Sequence, residues 1–159
     1  MKVTSLILLS VLLIGAQCLQ TYHFHHGDQL LHALQERKGD TYVIMVSKDA
    51  TTDKKLQLTN ARVADALYKD VLTSPAQLDK NGNAVGEPIQ KEVIWARVNA
   101  DDLDKNEHLI SRLKIDTASL KEWPTVVVLK NGVGYSMHGP TTVRHSLRHT
   151  DTLLAPVRN

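Results

Sequence analysis

Apolar residues follow two rhythms along this chain, and the change from one to the other marks its elements. Tyr42-Val-Ile-Met-Val46, Val93-Ile-Trp-Ala-Arg-Val98 and Thr125-Val-Val-Val-Leu129 are short, β-branched, almost uninterrupted apolar runs. That pattern predicts strands covered on both faces. Thr21-Tyr-His-Phe-His25 alternates instead and predicts a short, half-exposed strand. Between these runs the spacing lengthens to three and four. Leu30, Leu31 and Leu34 predict one helix, with Asp28 as its N-cap and Gly39 past its end. Leu56, Val63, Ala64, Leu67 and Val71 predict a longer one that stops at Ser74-Pro75. Leu109, Ile110 and Leu113 mark a third, entered through the acidic turn Asn99 to Asp102. Val143, Leu147, Thr150 and Leu154 mark one face of a fourth.

Turn chemistry fills the gaps. Asn131-Gly132 predicts a tight hairpin whose return strand is Gly134 to His138, ended by Gly139-Pro140. Thr73 to Lys91 is rich in Pro, Gly and Asn and predicts a loop with a small hairpin at Asn81-Gly82. Within it, Asp79-x-Asn81-x-Asn83 hints at a calcium loop. Ala84 stands where that loop needs glycine and Gln90 where it needs a bidentate glutamate, so the reading is rejected. The order β-α-β-α-β-α-β-β-α implies an α/β fold, a mixed central sheet with helices on both faces and a closing antiparallel hairpin.

The first eighteen residues behave differently. Lys2 precedes an uncharged apolar run from Val3 to Ala16 that ends in small residues, the build of a signal peptide cleaved after Cys18 or after Ala16. An uncleaved anchor is the alternative, although the run is short for the ~20 residues of a spanning helix. The expected organisation is therefore a leader at 1–18 and one domain at 19–159, placed in the secretory pathway, either secreted or in the endoplasmic reticulum lumen.

Charge and composition narrow the function. The formal net charge is +2, and aromatic residues make up 4%. The near-neutral balance gives no support for a nucleic-acid or strongly anionic partner, and no base-stacking surface is expected, so the expected partners include no nucleic acid. A membrane partner is expected only if the leader is retained. Cys18 is the sole cysteine. The presumed mature chain then has no disulfide, no thiolate nucleophile and no cysteine-based metal site.

From Val93 to Gly139 a series of short motifs occurs in order: Val98-Asn99-Ala100-Asp101 ending a strand, then Asn106-Glu107-x-Leu109 and Leu113-x-Ile115. Trp123-Pro124-Thr125 before a Val-rich strand, Lys130-Asn131-Gly132 and Gly139 complete it. In this order the motifs resemble those of the thioredoxin family. The first half matches by element order alone. The resemblance implies a thioredoxin-like fold with a cis peptide bond at Pro124. It also places Thr51-Thr52-Asp53-Lys54 where family enzymes carry Cys-x-x-Cys, and Met45 near the buried carboxylate that assists proton transfer. Both reactive groups are missing, which argues against redox, isomerase and peroxiredoxin activity, and no cofactor is expected. The loop at 73–91 is longer than in the family, and about five extra residues separate Ile115 from Pro124.

In redox-inactive members of this family, binding of extended polypeptide beside the proline turn commonly survives. The resemblance therefore implies a non-catalytic protein-binding module, with Trp123, Pro124, Thr125, Thr51 and Lys54 as candidate contacts. Trp123 would offer a large amphipathic surface. Two other readings stay open. One is a structural subunit of a membrane-associated complex with its N-terminal helix retained. The other is a metal-binding protein using His23, His25 and His26, of which His23 and His25 share a strand face. His145 and His149, flanked by Arg144 and Arg148, are read as a solvated basic helix face.

Overall fold

The computed structural model describes residues 19–74 and 77–156. The expected leader at 1–18 lies outside them. Among the described residues no helix is long and apolar enough to cross a membrane. In chain order the elements are β1 (Gln20–Thr21), α1 (Gly27–Glu36), β2 (Thr41–Ser47) and α2 (Lys54–Ala66). Four two-residue strands follow: β3 (Thr73–Ser74), β4 (Gln77–Leu78), β5 (Ala84–Val85) and β6 (Ile89–Gln90). Then come β7 (Val93–Asn99), α3 (Leu103–Arg112), β8 (Thr125–Lys130), β9 (Val133–His138) and α4 (Thr142–Leu154). A π-turn, Leu67–Val71, prolongs α2, and a 3-10 turn, Ser119–Lys121, leads toward β8.

One mixed sheet of order β1-β7-β2-β8-β9 organises these elements. β1, β7 and β2 run parallel, while β8 and β9 are antiparallel to their neighbours. β2 is central and buried along its whole length. Its alternation sends Tyr42, Ile44 and Val46 to a core shared with Leu30 of α1 and Leu109 and Ile110 of α3. Val43 and Met45 face the other core, with Val63 of α2, Leu67 and Val71. Val143 and Leu147 of α4 close that side. Two covered faces explain why the strand is apolar at nearly every position. Each fully buried aliphatic side chain contributes roughly 1.5–3 kcal/mol.

Several expectations are corrected. The first strand stops at Thr21, and only one further ladder bond, Tyr22 N to Trp95 O at 2.8 Å, extends it. The chain leaves the ladder because Gln29 Oε1 accepts from His25 N (2.8 Å) and His26 N (3.4 Å). The N-cap of α1 is accordingly His26, in a capping box with Gln29, and not Asp28. The Trp123–Pro124 bond is trans, as is every peptide bond among the described residues, in place of the expected cis bond. Here the 3-10 turn delivers the chain to β8, with Trp123 N donating to Ser119 O, so no tight proline turn is needed. Trans is also the lower-energy state of an X-Pro bond by about 0.5–1 kcal/mol. On α4 the expected face does meet the core, with Thr150 buried and Val143, Leu147 and Leu154 packed half-buried against it, and the buried Thr142 and Ser146 extend that face. Small side chains let the helix approach the sheet, and Thr142 Oγ1 donates to Gly139 O at 2.7 Å.

The Asn81-Gly82 hairpin is present as the β4–β5 pair. Asp79 turns its carboxylate onto the backbone, accepting from Asn81 N (2.8 Å) and Asn83 N (2.9 Å), which holds its pKa below the usual carboxylate value. A depressed folded pKa means that the contribution exists at higher pH and is lost as pH falls through the range below 3.8. The amide resonances of Asn81 and Asn83 are expected to shift together in that acidic window. Amides that stay unmoved through it would refute the assignment.

Candidate functional site

Thr51 and Lys54 reach the carboxyl edge of the sheet through the loop leaving β2, which is tied to the loop leaving β7. Ala100 N donates to Ser47 O (2.8 Å), Ala50 N to Asp101 Oδ2 (2.7 Å), and Arg97 pairs with Asp49 at 3.0 Å. From beneath, the buried Asn60 of α2 donates to Lys48 O at 3.0 Å. The loop is therefore fixed at both ends before α2 begins. Ligands of open α/β sheets bind at this edge.

β8 enters the sheet antiparallel, with Thr125 beside Val46, so Trp123 and Pro124 arrive at the same edge. A cleft of about 320 Å³ separates them from the first turns of α2, lined by Trp123, Lys121, Asp53, Lys55, Leu56 and Thr59. Trp123 is half-buried: it packs against the core containing Val126 and Met137, and it also lines the cleft. One ring thus faces both the core and the cleft.

The five expected contact residues do not all meet. Trp123 alone among them lines the cleft. Thr51 shapes the loop, its hydroxyl accepting from Asp53 N (3.1 Å) and its carbonyl from Gln57 Nε2 (2.6 Å). Lys54 is exposed at the start of α2. Pro124 and Thr125 are buried, with Thr125 Oγ1 3.2 Å from His138 Nδ1. Sequence reasoning missed Lys55, Leu56 and Thr59, although their places in the first turns after Asp53 were a usable signal.

Asp53 Oδ1 accepts from Lys55 N (2.8 Å) and Leu56 N (3.4 Å). These backbone donors of the first turn of α2 are therefore taken up by the chain's own carboxylate. Met45 is fully buried among apolar neighbours and has no titratable group. What faces solvent is an indole, two hydroxyl-bearing residues and the ammonium groups of Lys54, Lys55 and Lys121, set against Asp53 and Glu122.

The histidines lie elsewhere. His23 and His25 point outward beside a shallow cleft of about 510 Å³ near Asp28 and His32, while Tyr22 and Phe24 point inward. His26 caps α1, and Asp28 Oδ1 is 2.8 Å from His108 Nδ1 of α3. Among the described residues no group of three His, Cys, Asp or Glu side chains is arranged to hold a metal ion. His145 is exposed as expected. His149 is not simply solvated: its ring stacks on Tyr135 of β9 at 3.7 Å between centroids.

No family model matches the chain, and no curated protein matches it significantly.

Proposed function

We propose that this chain is a non-catalytic, thioredoxin-like binding module of the secretory pathway, holding an extended stretch of another protein in the Trp123 cleft. The observation that carries the reading is the meeting of Trp123 with the first turns of α2. Two segments from opposite halves of the chain line one cleft at the carboxyl edge of the sheet. The strand order β1-β7-β2-β8-β9 and its mixed directions are compatible with the thioredoxin-like arrangement that the resemblance implies. A rigid loop and a half-buried indole suit recognition, because little order has to be imposed on binding. The absence of cysteine after residue 18 supports the non-catalytic half of the reading.

The test is binding of a fluorescently labelled unfolded polypeptide, reduced and carboxymethylated α-lactalbumin, followed by anisotropy. Micromolar binding is expected. Trp123→Ala should weaken it about tenfold or more, as for an aromatic anchor, and Trp123→Phe should retain most of it. Equal affinity in Trp123→Ala and the unaltered protein would refute the site. Turnover in an insulin-reduction assay would refute the non-catalytic reading.

A further inference from the structure

β9 is the last strand of the sheet, and its outer side pairs with no other strand among the described residues. Sheets ordinarily blunt such an edge with a lysine, a proline, a bulge or a very short strand, because unpaired backbone is a template for another chain. The opposite edge obeys the rule, since β1 is only two residues long. β9 does not. It runs six residues, contains no proline, lysine or carboxylate, and keeps an unbroken register with β8. Its closing pair, Lys130 with Val133, spans the two-residue turn and is therefore a hydrogen-bonded pair. Alternation then ties the backbone of Val133, Tyr135 and Met137 to β8 and turns the N–H and C=O groups of Gly134, Ser136 and His138 outward. All three of these residues are exposed, and their outward groups have no backbone partner among the described residues.

The charge around this edge is of one sign. No Asp or Glu occurs between Glu122 and Asp151, a span that holds β8, β9 and most of α4, while Lys130, Arg144 and Arg148 fall inside it. His149 stacks on Tyr135, which fixes the side of α4 that borders the strand. His145, one turn earlier on that side, and Arg148, next to His149, are both exposed. Asp151 is turned to Lys91 instead. Val133 (71% exposed) and Tyr135 (44%) add apolar surface on the same face of β9. Pairing with a second copy of this chain would set two such basic helix faces side by side, which like charges oppose. We propose that β9 takes up an extended, acidic segment of another protein as a sixth strand beside the five of the sheet. The backbone of that segment bonds Gly134, Ser136 and His138, and its carboxylates face Arg148 and His145. The surface is separate from the Trp123 cleft, which lies between the start of β8 and α2.

A fluorescein-labelled peptide that alternates glutamate and valine and matches β9 in length, titrated at low salt and followed by anisotropy, tests this. Submillimolar binding is expected, weakening as salt is added. In hydrogen exchange the amides of Gly134, Ser136 and His138 should gain protection on binding. Those of Val133, Tyr135 and Met137, already bonded to β8, should not change. A peptide with lysine in place of glutamate, and an acidic one N-methylated along its backbone, should each bind at least about tenfold more weakly. Arg148→Glu alters an exposed side chain, so it should keep the fold and lose affinity by about tenfold. The proposal is overturned if the acidic peptide does not bind, if either altered peptide binds as tightly, or if Arg148→Glu binds like the unaltered protein. Protection of the same amides in a concentration-dependent dimer without peptide would give the edge to a second copy and overturn it too. Trp123→Ala should leave this affinity unchanged. A matching loss there would assign the peptide to the Trp123 cleft, overturning the strand addition while leaving the polypeptide-binding reading intact.

Discussion

Alanine at position 134 is expected to destabilise the protein by about 3 kcal/mol, read as a fall in melting temperature of about 6–12 °C. Gly134 lies in β9 opposite Leu129 of β8, on a return strand that runs unusually close to its neighbour. A Cβ built there would stand 2.1 Å from Val128 O and 2.5 Å from Leu129 Cβ. Neither obstacle can step aside cheaply. One is backbone of a fully buried strand residue, and the other is fixed to a strand paired on both sides. Gly132, two residues earlier, provides the control. It has φ +74° with nothing within 4 Å of a built Cβ, so its alanine variant meets only left-handed strain. That strain costs roughly 1–2 kcal/mol. Thermal melts of the two variants separate the explanations. If Gly132→Ala proves the more damaging, backbone conformation rather than close approach governs this hairpin, and the reading of Gly134 fails.

What could be read in advance and what could not divides along a physical line. The three buried strands were legible because covering both faces of a sheet forces a run of apolar residues, and Tyr42–Val46, Val93–Val98 and Thr125–Leu129 are such runs. Asn131-Gly132 was legible because consecutive positive φ values, here 56° and 74°, select those residues. The errors fall where a long-range or side-chain contact outweighs local preference. Asp28 is a better N-cap than His26 on average, yet the Gln29 carboxamide settles the contest, and Asp28 instead faces His108 across the helix pair. On α4 the expected face is the one that packs, with Thr150 buried and Val143, Leu147 and Leu154 against the core, while the deeply buried Thr142 and Ser146 carry no apolar signal and were not legible. The candidate contacts were half legible for the same reason. Trp123 could be picked out by its type and its place before β8. The partners across the cleft belong to α2, and their arrival depends on the antiparallel entry of β8, which no local pattern encodes.

The Trp123 cleft sits on a sheet covered by helices on both sides, and α3 supplies part of that cover. Leu109→Ala is expected to cost about 3 kcal/mol, within the range for deleting a fully buried leucine, and to lower the melting temperature by about 6–12 °C. Leu109 is 0% exposed and belongs to the core formed with Leu30, Ile44 and Val98. Its Cβ would also lie 2.9 Å from a Cβ built on Gly27, which shows how closely α1 and α3 approach. Backbone that tight cannot collapse further to fill the space left by the isobutyl group, so most of the cavity cost should remain. Leu103 lies on the same helix but is 50% exposed, and its alanine variant should change stability by no more than about 0.5 kcal/mol. Chemical denaturation of both variants with the slope held in view is the check, because a changed slope would mean a changed denatured state. Comparable losses at 103 and 109 would mean that α3 does not present the face assigned to it. The core beneath β2 and β7, and with it the platform for the Trp123 cleft, would then be misplaced.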